Sequence, residues 1–349
     1  MKKLLLGVSG YKQGERIFPI IPELSKHFEI SLLTYHHMNP NRDNNGAIDM
    51  RDVFYNKYKS YFSCIYRDWK SVDYSQFDCI LHDDCRDKGE SIPTKLIYPY
   101  AKKHNITVFG SSHGNKDCVG HVHEVDHYKS AFDYCFLFGQ WQKQACGNKD
   151  YLLLGGIPAN DALKQYERTN EYILIIPNYI DTERGPFPVR FGDKFIKEIK
   201  LFDLQQKYGK KVVVKLKPRD RHFAQGNPYM QDINFVKDLF DRNNIEGEVI
   251  RDIEDDNLMI SKAHSVIGTT STLCFKSVQM GIPTVTIKGG AFIGAFEQYR
   301  GLCDPYQVPA VLDTQLKLTR DKNFINNVIE GGLNYDSTSI FIKNIIERL

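Results

Sequence analysis

Short apolar runs alternate with amphipathic stretches along nearly the whole chain. Residues 4–8 predict a buried first strand, followed by a glycine-containing loop from Gly10 to Gly14 and a helix over residues 20–27. Residues 30–34, 79–81, 107–110, 134–138 and 151–154 have the character of further buried strands, with a helix at 96–103. The pattern pauses over the polar stretch 165–171 and then restarts. Strands at 172–176, 211–216, 249–250, 266–267 and 284–287, the last of them, alternate with helical stretches at 191–206, 235–240, 258–263 and 273–280. Two more helices are expected at 323–330 and 337–348.

Strands that alternate with helices imply parallel sheets covered on both faces. The expected fold is α/β, with two consecutive doubly wound, Rossmann-like domains at residues 1–166 and 167–335. Residues 336–349 then form a C-terminal helix that packs back on the first domain. The length of 349 residues supports two domains. A composition of 42% hydrophobic and 26% charged residues gives each an ordinary core and excludes a disordered or fibrous chain. Two such units in tandem form a cleft, and ligands of these sheets bind beyond the carboxyl ends of the strands.

Charge and cysteine usage narrow the classes further. A net charge of +3 suits an anionic ligand such as a nucleotide diphosphate and falls short of the basic stripe of a nucleic-acid binder. The eight cysteines form no C-x-x-C pair and are expected to be buried free thiols in a reducing compartment. The apolar start is too short for a signal peptide, and no apolar stretch approaches the ~20 residues of a membrane helix. A cytoplasmic protein is expected, with membrane contact of a peripheral kind only.

Three segments carry candidate chemistry. In the first, an apolar strand runs into Gly268, then Thr269, Thr270, Ser271 and Thr272, and then a helix. Small residues let the backbone approach a phosphate, and the hydroxyls and free N–H groups donate to it. The bland alternative is a simple helix cap at Thr270 or Ser271. In the second, Lys215, Lys217 and Arg219 gather at a strand end, where cations suit a diphosphate; a solvated basic loop is the alternative. In the third, His113 stands at a strand end in Gly110-Ser111-Ser112-His113-Gly114-Asn115-Lys116, where it can take a proton from a hydroxyl. Asp83-Asp84 suits a base, a metal ligand or an ordinary turn. His121, His123 and His127 match no standard zinc spacing, so no metal site is expected. The absence of G-x-x-x-x-G-K-[ST] and of G-x-G-x-x-G argues against a P-loop ATPase and an NAD enzyme.

In this order the segments resemble the CDP-glycerol glycerophosphotransferases, the teichoic-acid polymerase family, and related capsule glycosyltransferases. His113-Gly114-Asn115-Lys116 resembles that family's His-Gly-x-x-x-Lys stretch, with the lysine one position earlier. Gly156-Ile157-Pro158-Ala159-Asn160-Asp161 resembles its Gly-x-Pro-x-x-Asp segment. Lys215-Leu216-Lys217-Pro218 stands where the family has a His-Pro pair. Thr269 to Thr272 is similar to its donor-phosphate Ser/Thr pair. The resemblance spans residues 107–288 and implies a GT-B fold and a metal-independent transferase with no built-in cofactor.

By that resemblance, Lys215, Lys217, Arg219 and Gly268 to Thr272 meet a UDP-, CDP- or CMP-linked donor. His113 serves as the acceptor-side base, with Gly10, Asp84 and Lys116 nearby and a glycan or lipid-linked hydroxyl as acceptor in cell-surface polysaccharide or glycoconjugate synthesis. Within the acidic run Asp252, Glu254, Asp255 and Asp256, one residue suits a ribose hydroxyl and a solvated helix start is the alternative. Three rivals use the same architecture: a UDP-N-acetylhexosamine 2-epimerase, a glycosyltransferase acting on modified DNA bases, and a non-catalytic nucleotide-sugar binder. Nucleic acid is the least favoured partner, since no aromatic-plus-basic groove is evident.

Overall fold

A computed structural model describes residues 1–8, 16–34, 56–82, 97–111, 132–177, 180–181, 189–216, 232–251, 255–269, 271, 273–288, 301–318 and 336–349. The chain divides into two compact units, Met1–Asp161 with Tyr335–Leu349, and Ala162–Asn334.

The first unit is built on a seven-stranded sheet in the order β3-β2-β1-β4-β5-β6-β7. Its strands are β1 (Lys2–Val8), β2 (Phe28–Thr34), β3 (Phe62–Tyr66), β4 (Cys79–His82), β5 (Thr107–Ser111), β6 (Tyr134–Leu137) and β7 (Leu152–Leu154), and every pair is parallel. Alternate residues feed two cores. Leu5, Ile80, Val108, Leu137 and Leu152 face one side, and Leu4, Leu6, Leu81, Phe109 and Phe136 the other. Burial on both faces explains why these strands are apolar without alternation. Helices α1 (Ile21–Leu24), α2 (Tyr98–Lys103) and α3 (Gln140–Ala145) lie between strands.

The second unit repeats the plan with six parallel strands in the order β10-β9-β8-β11-β12-β13. These are β8 (Tyr172–Ile176), β9 (Lys211–Lys215), β10 (Gly247–Ile250), β11 (Ala263–Gly268), β12 (Thr284–Ile287) and β13 (Leu302–Cys303). Its helices are α4 (Asp193–Glu198), α5 (Leu201–Tyr208), α6 (Ile233–Arg242), α7 (Asp256–Ser261), α8 (Leu273–Gln279) and α9 (Val308–Leu318). Tyr172 fastens β8 to α7 through a hydrogen bond from its hydroxyl to Met259 O at 2.5 Å.

Several expectations need correction. The helix expected at 20–27 is a 3-10 turn, Phe18–Ile20, followed by the single turn α1. The single helical stretch 191–206 is two helices, because Lys200 takes a left-handed φ of 52° and reorients the chain between α4 and α5. β12 is not the last strand, since β13 extends the sheet beyond it. β3 carried no sequence signal because it is an edge strand whose Ser63 and Cys64 are exposed. Cys64 therefore departs from the expected burial, whereas Cys79, Cys135, Cys146, Cys274 and Cys303 are buried free thiols. Cys85 and Cys118 lie outside the described residues.

The last helix, α10 (Ser337–Ile346), belongs to the first unit. Asp161 holds its start. The carboxylate accepts from Ser337 N at 3.0 Å and from Thr338 N and Oγ1, both at 2.8 Å. Phe341 then stacks on Phe136 with ring centroids 3.9 Å apart. It approaches so closely that a Cβ on Gly155 would lie 2.5 Å from its ring. No helix among the described residues is long and apolar enough to cross a membrane. Replacing Asp161 by Ala is expected to lower stability by about 1–3 kcal/mol, because three donors at a helix start lose their acceptor. A lower denaturation midpoint for Asp161→Ala, with Asp161→Asn intermediate, checks this.

Candidate functional site

In the second sheet the chain builds outward from β8 in one direction to β9 and β10, and in the other to β11, β12 and β13. The switch point lies between β8 and β11, where the crossovers leave on opposite faces and the carboxyl edge opens. Gly268 pairs with Ile176 at that edge, and Thr269 N donates to Ile176 O at 3.2 Å. On the other side, Val214 pairs with Ile175, which sets Lys215 level with Ile176.

Lys215, Ile176 and Gly268 thus stand in one row across three strands. Val214, Ile175 and Ile267 face the core packed under α4, α5, α6 and α9, so the row faces the opposite side. Two strand spacings separate the lysine backbone from the glycine by about 10 Å.

Helices α7 and α8 cover this second side. A Cβ on Gly268 would overlap Sγ of Cys274 in the first turn of α8, so only glycine lets this helix lie so close to the strand. Burial pushes the Cys274 thiol up to about 12, and it serves as a neutral packing group. Lys276 Nζ donates to Asn257 Oδ1 at 2.8 Å and fastens α8 to α7. Ser271 Oγ accepts from Leu273 N at 3.3 Å, so this hydroxyl caps α8.

Lys215 is buried at the end of β9, and its Nζ lies 3.8 Å from Asp256 Oδ1 in the first turn of α7. Arg251, the residue after β10, is buried as well. Asp255 caps α7 by accepting from Asn257 N and Leu258 N through Oδ1, at 2.9 and 3.1 Å. Its Oδ2 accepts from Tyr166 OH at 2.7 Å. Burial pushes the Asp255 carboxyl up. The Tyr166 hydroxyl and the two backbone N–H groups outweigh that effect and hold it below the ordinary value. Tyr166 is raised in turn, chiefly by its hydrogen bond to Asp255.

The structure brings Lys215, Gly268, Thr269 and Ser271 to one edge of one sheet. Lys217, Arg219, Thr270, Thr272, His113, Lys116, Gly10 and Asp84 lie outside the described residues, as do His121, His123 and His127. Sequence reasoning missed Tyr166 and Lys276. Nothing local marks Tyr166, which meets Asp255 across 89 residues. Lys276 carried a weak signal, as the one charged residue of the mostly buried helix α8.

It also passed over His82. In the first sheet the switch point lies between β1 and β4, where Gly7 pairs with His82. That histidine is fully buried, and a Cβ on Gly7 would lie 2.9 Å from its ring.

No family model and no curated protein matches the sequence. Solved structures do match it over essentially its whole length. The UDP-GlcNAc 2-epimerase of Methanocaldococcus jannaschii shares 11% identity at a TM-score of 0.62, over 99% of this chain and 100% of that one. The UDP-GlcNAc 2-epimerase of Neisseria meningitidis, bound to UDP-GlcNAc, shares 14% at 0.58, over 99% and 100%. The wall teichoic acid polymerase TagF, soaked with CDPG, shares 13% at 0.54, over 99% and 90%. Likeness at such identities is a likeness of fold. The chain has the GT-B fold, with two Rossmann-like units on parallel sheets.

Two outcomes are expected at this site. Gly268→Ala forces α8 off β11 and destabilises by about 1–3 kcal/mol. Adding Cys274→Ala makes room for the new methyl, so the double variant is more stable than Gly268→Ala alone in urea unfolding. The second concerns acid. Because Asp255 is depressed in the folded chain, its contribution is fully present above the unfolded value of about 3.9 and is lost as pH falls through the lower native value. Melting temperatures of the native chain and of Asp255→Asn should differ at pH 7 and converge as the pH drops through that window.

Proposed function

We propose that this chain binds a nucleotide-activated sugar or polyol at the carboxyl edge of its second sheet and transfers the activated group to a hydroxyl acceptor. The row Lys215, Ile176 and Gly268 at the switch point carries this reading. One end of the row holds a buried cation, and the other a buried glycine followed by hydroxyl residues. A diphosphate matches that arrangement, since cations and hydroxyl donors stabilise the charge that grows on a departing nucleotide. In this reading Lys217, Arg219, Thr270 and Thr272 complete the donor side. His113 deprotonates the acceptor hydroxyl, with Gly10, Asp84 and Lys116 beside it in the first unit. The donor is UDP-, CDP- or CMP-linked and the acceptor a glycan or lipid-linked hydroxyl. The site as proposed holds no built-in cofactor.

The whole-length likeness to UDP-GlcNAc 2-epimerases, one of them bound to UDP-GlcNAc, favours a second reading. An epimerase interconverts its nucleotide sugar with no acceptor present, whereas a transferase consumes donor in proportion to acceptor.

A thermal-shift screen against UDP, CDP, CMP, GDP and their sugar or glycerol conjugates identifies the ligand, because a molecule that binds only the folded state raises the melting temperature. The conjugate that binds is then incubated with and without an acceptor panel. Acceptor-dependent release of nucleotide supports transfer, acceptor-free epimerisation supports the second reading, and no shift with any nucleotide overturns both. For the transferase, His113→Ala is expected to lower turnover by about 10²-fold or more and leave donor affinity nearly unchanged. Lys215→Met should do the reverse and weaken nucleotide binding about tenfold.

A further inference from the structure

We propose that the amino edge of the second sheet holds a tetrahedral oxyanion, a phosphate, between Arg168, Lys210 and His264. The site is independent of the donor reading, since Gly268 stands about 13 Å further along β11. Three elements build it. In β11, Ala263 pairs with Tyr172 and Ser265 with Ile173, so His264 is the extra residue of a β-bulge. A bulge re-aims its side chain, and this one sets the half-buried imidazole against the Tyr208 ring, with centroids 4.9 Å apart. Gly209, at a left-handed φ of 58°, then turns the chain out of α5 and places Lys210 at the entrance of β9. Arg168 precedes β8, and its Nη1 donates at 2.7 Å to Gly281 O, in the turn before β12. β11 lies between β8 and β12, so this side chain crosses the entrance where His264 stands.

The charges gathered there are of one sign. Lys211 and Lys262, beside the site, are paired with Glu248 and Glu171. Arg168 and Lys210 meet no carboxylate among the described residues, and Arg168 spends its hydrogen bonds on Gly281 O and Asn170 Oδ1. Asp313 of α9 is taken up by others, accepting from Tyr208 OH at 2.7 Å and from Lys207 Nζ at 2.6 and 2.7 Å. Burial, and then the charges of Lys210 and Arg168, hold the His264 imidazole below its ordinary value, so it is neutral at pH 7. An anion reverses that balance. It screens the two cations and accepts from the ring, which favours the charged imidazole. Donors that arrive from three elements suit the divergent oxygens of a phosphate better than the coplanar pair of a carboxylate.

Sulfate, a tetrahedral dianion that does not titrate between about pH 5 and 8, is the probe for NMR of the histidine rings, at an ionic strength held with chloride. The signal missing from His264→Gln identifies the ring. Sulfate should move that signal saturably and shift its titration midpoint upward by about one pH unit, a tenfold preference for the charged ring. Sulfate affinity should therefore rise as the pH falls through that midpoint, and His264→Gln should abolish the rise. Arg168→Gln should bind sulfate about tenfold more weakly, and Lys210→Gln serves in its place if that variant does not fold. Inorganic phosphate and glycerol 3-phosphate then compete with sulfate, and the stronger competitor tells a free phosphate from a phosphate ester. Sulfate that moves the His264 signal no more than chloride does, variants that bind as the native chain does, or failure of both phosphates to compete overturns the assignment. None of these results bears on nucleotide binding at the carboxyl edge.

Discussion

The contact between α8 and β11 at Gly268 governs the second unit. The strand must end beside β8 for the sheet to reverse its direction of growth there, and the following helix must return over the same strand almost at once. With a side chain at 268, Cys274 and that side chain would occupy one volume. Glycine resolves the conflict at the carboxyl edge, the side of such sheets where ligands gather.

The polar groups around this edge depend on that placement. Because α8 lies flat on the sheet, Lys276 reaches Asn257 and ties α7 beside it. Because α7 is tied there, Asp256 stands over Lys215 and Asp255 meets Tyr166 from the segment before β8. Buried charges in this cluster carry large desolvation costs, which paired or hydrogen-bonded neighbours offset. In the first unit the same logic joins distant parts of the chain. Asp161 and the Phe136–Phe341 stack bring residues beyond 335 onto a sheet completed by residue 154.

Legibility in the sequence tracks how local the physics is. Tyr172–Ile176 and Thr284–Ile287 are buried on both faces, rich in β-branched residues and bounded by prolines or a turn, so they are visible in the residues alone. β3 is half exposed at the sheet edge and has no such pattern. The break at Lys200 is invisible because its left-handed backbone has no glycine or asparagine to announce it. Among site residues, Lys215 and the stretch from Gly268 were legible as strand ends with unusual chemistry. Tyr166 and Lys276 were not, since their partners come from other elements.

The amino-acid sequence alone determined the class of architecture. Alternating apolar strands and amphipathic helices admit little besides two doubly wound units, and small or cationic residues at strand ends mark where their chemistry belongs. Only the tertiary structure decided the strand order, and with it that Lys215 and Gly268 share a row and a face while Val214 and Ile267 share the other. It alone separated Asp255, spent on a helix cap, from Asp256, which faces a buried lysine. The reason is physical. Periodicity reports which side of an element is buried, but which elements become neighbours depends on contacts between residues far apart in the chain, and no local pattern encodes them.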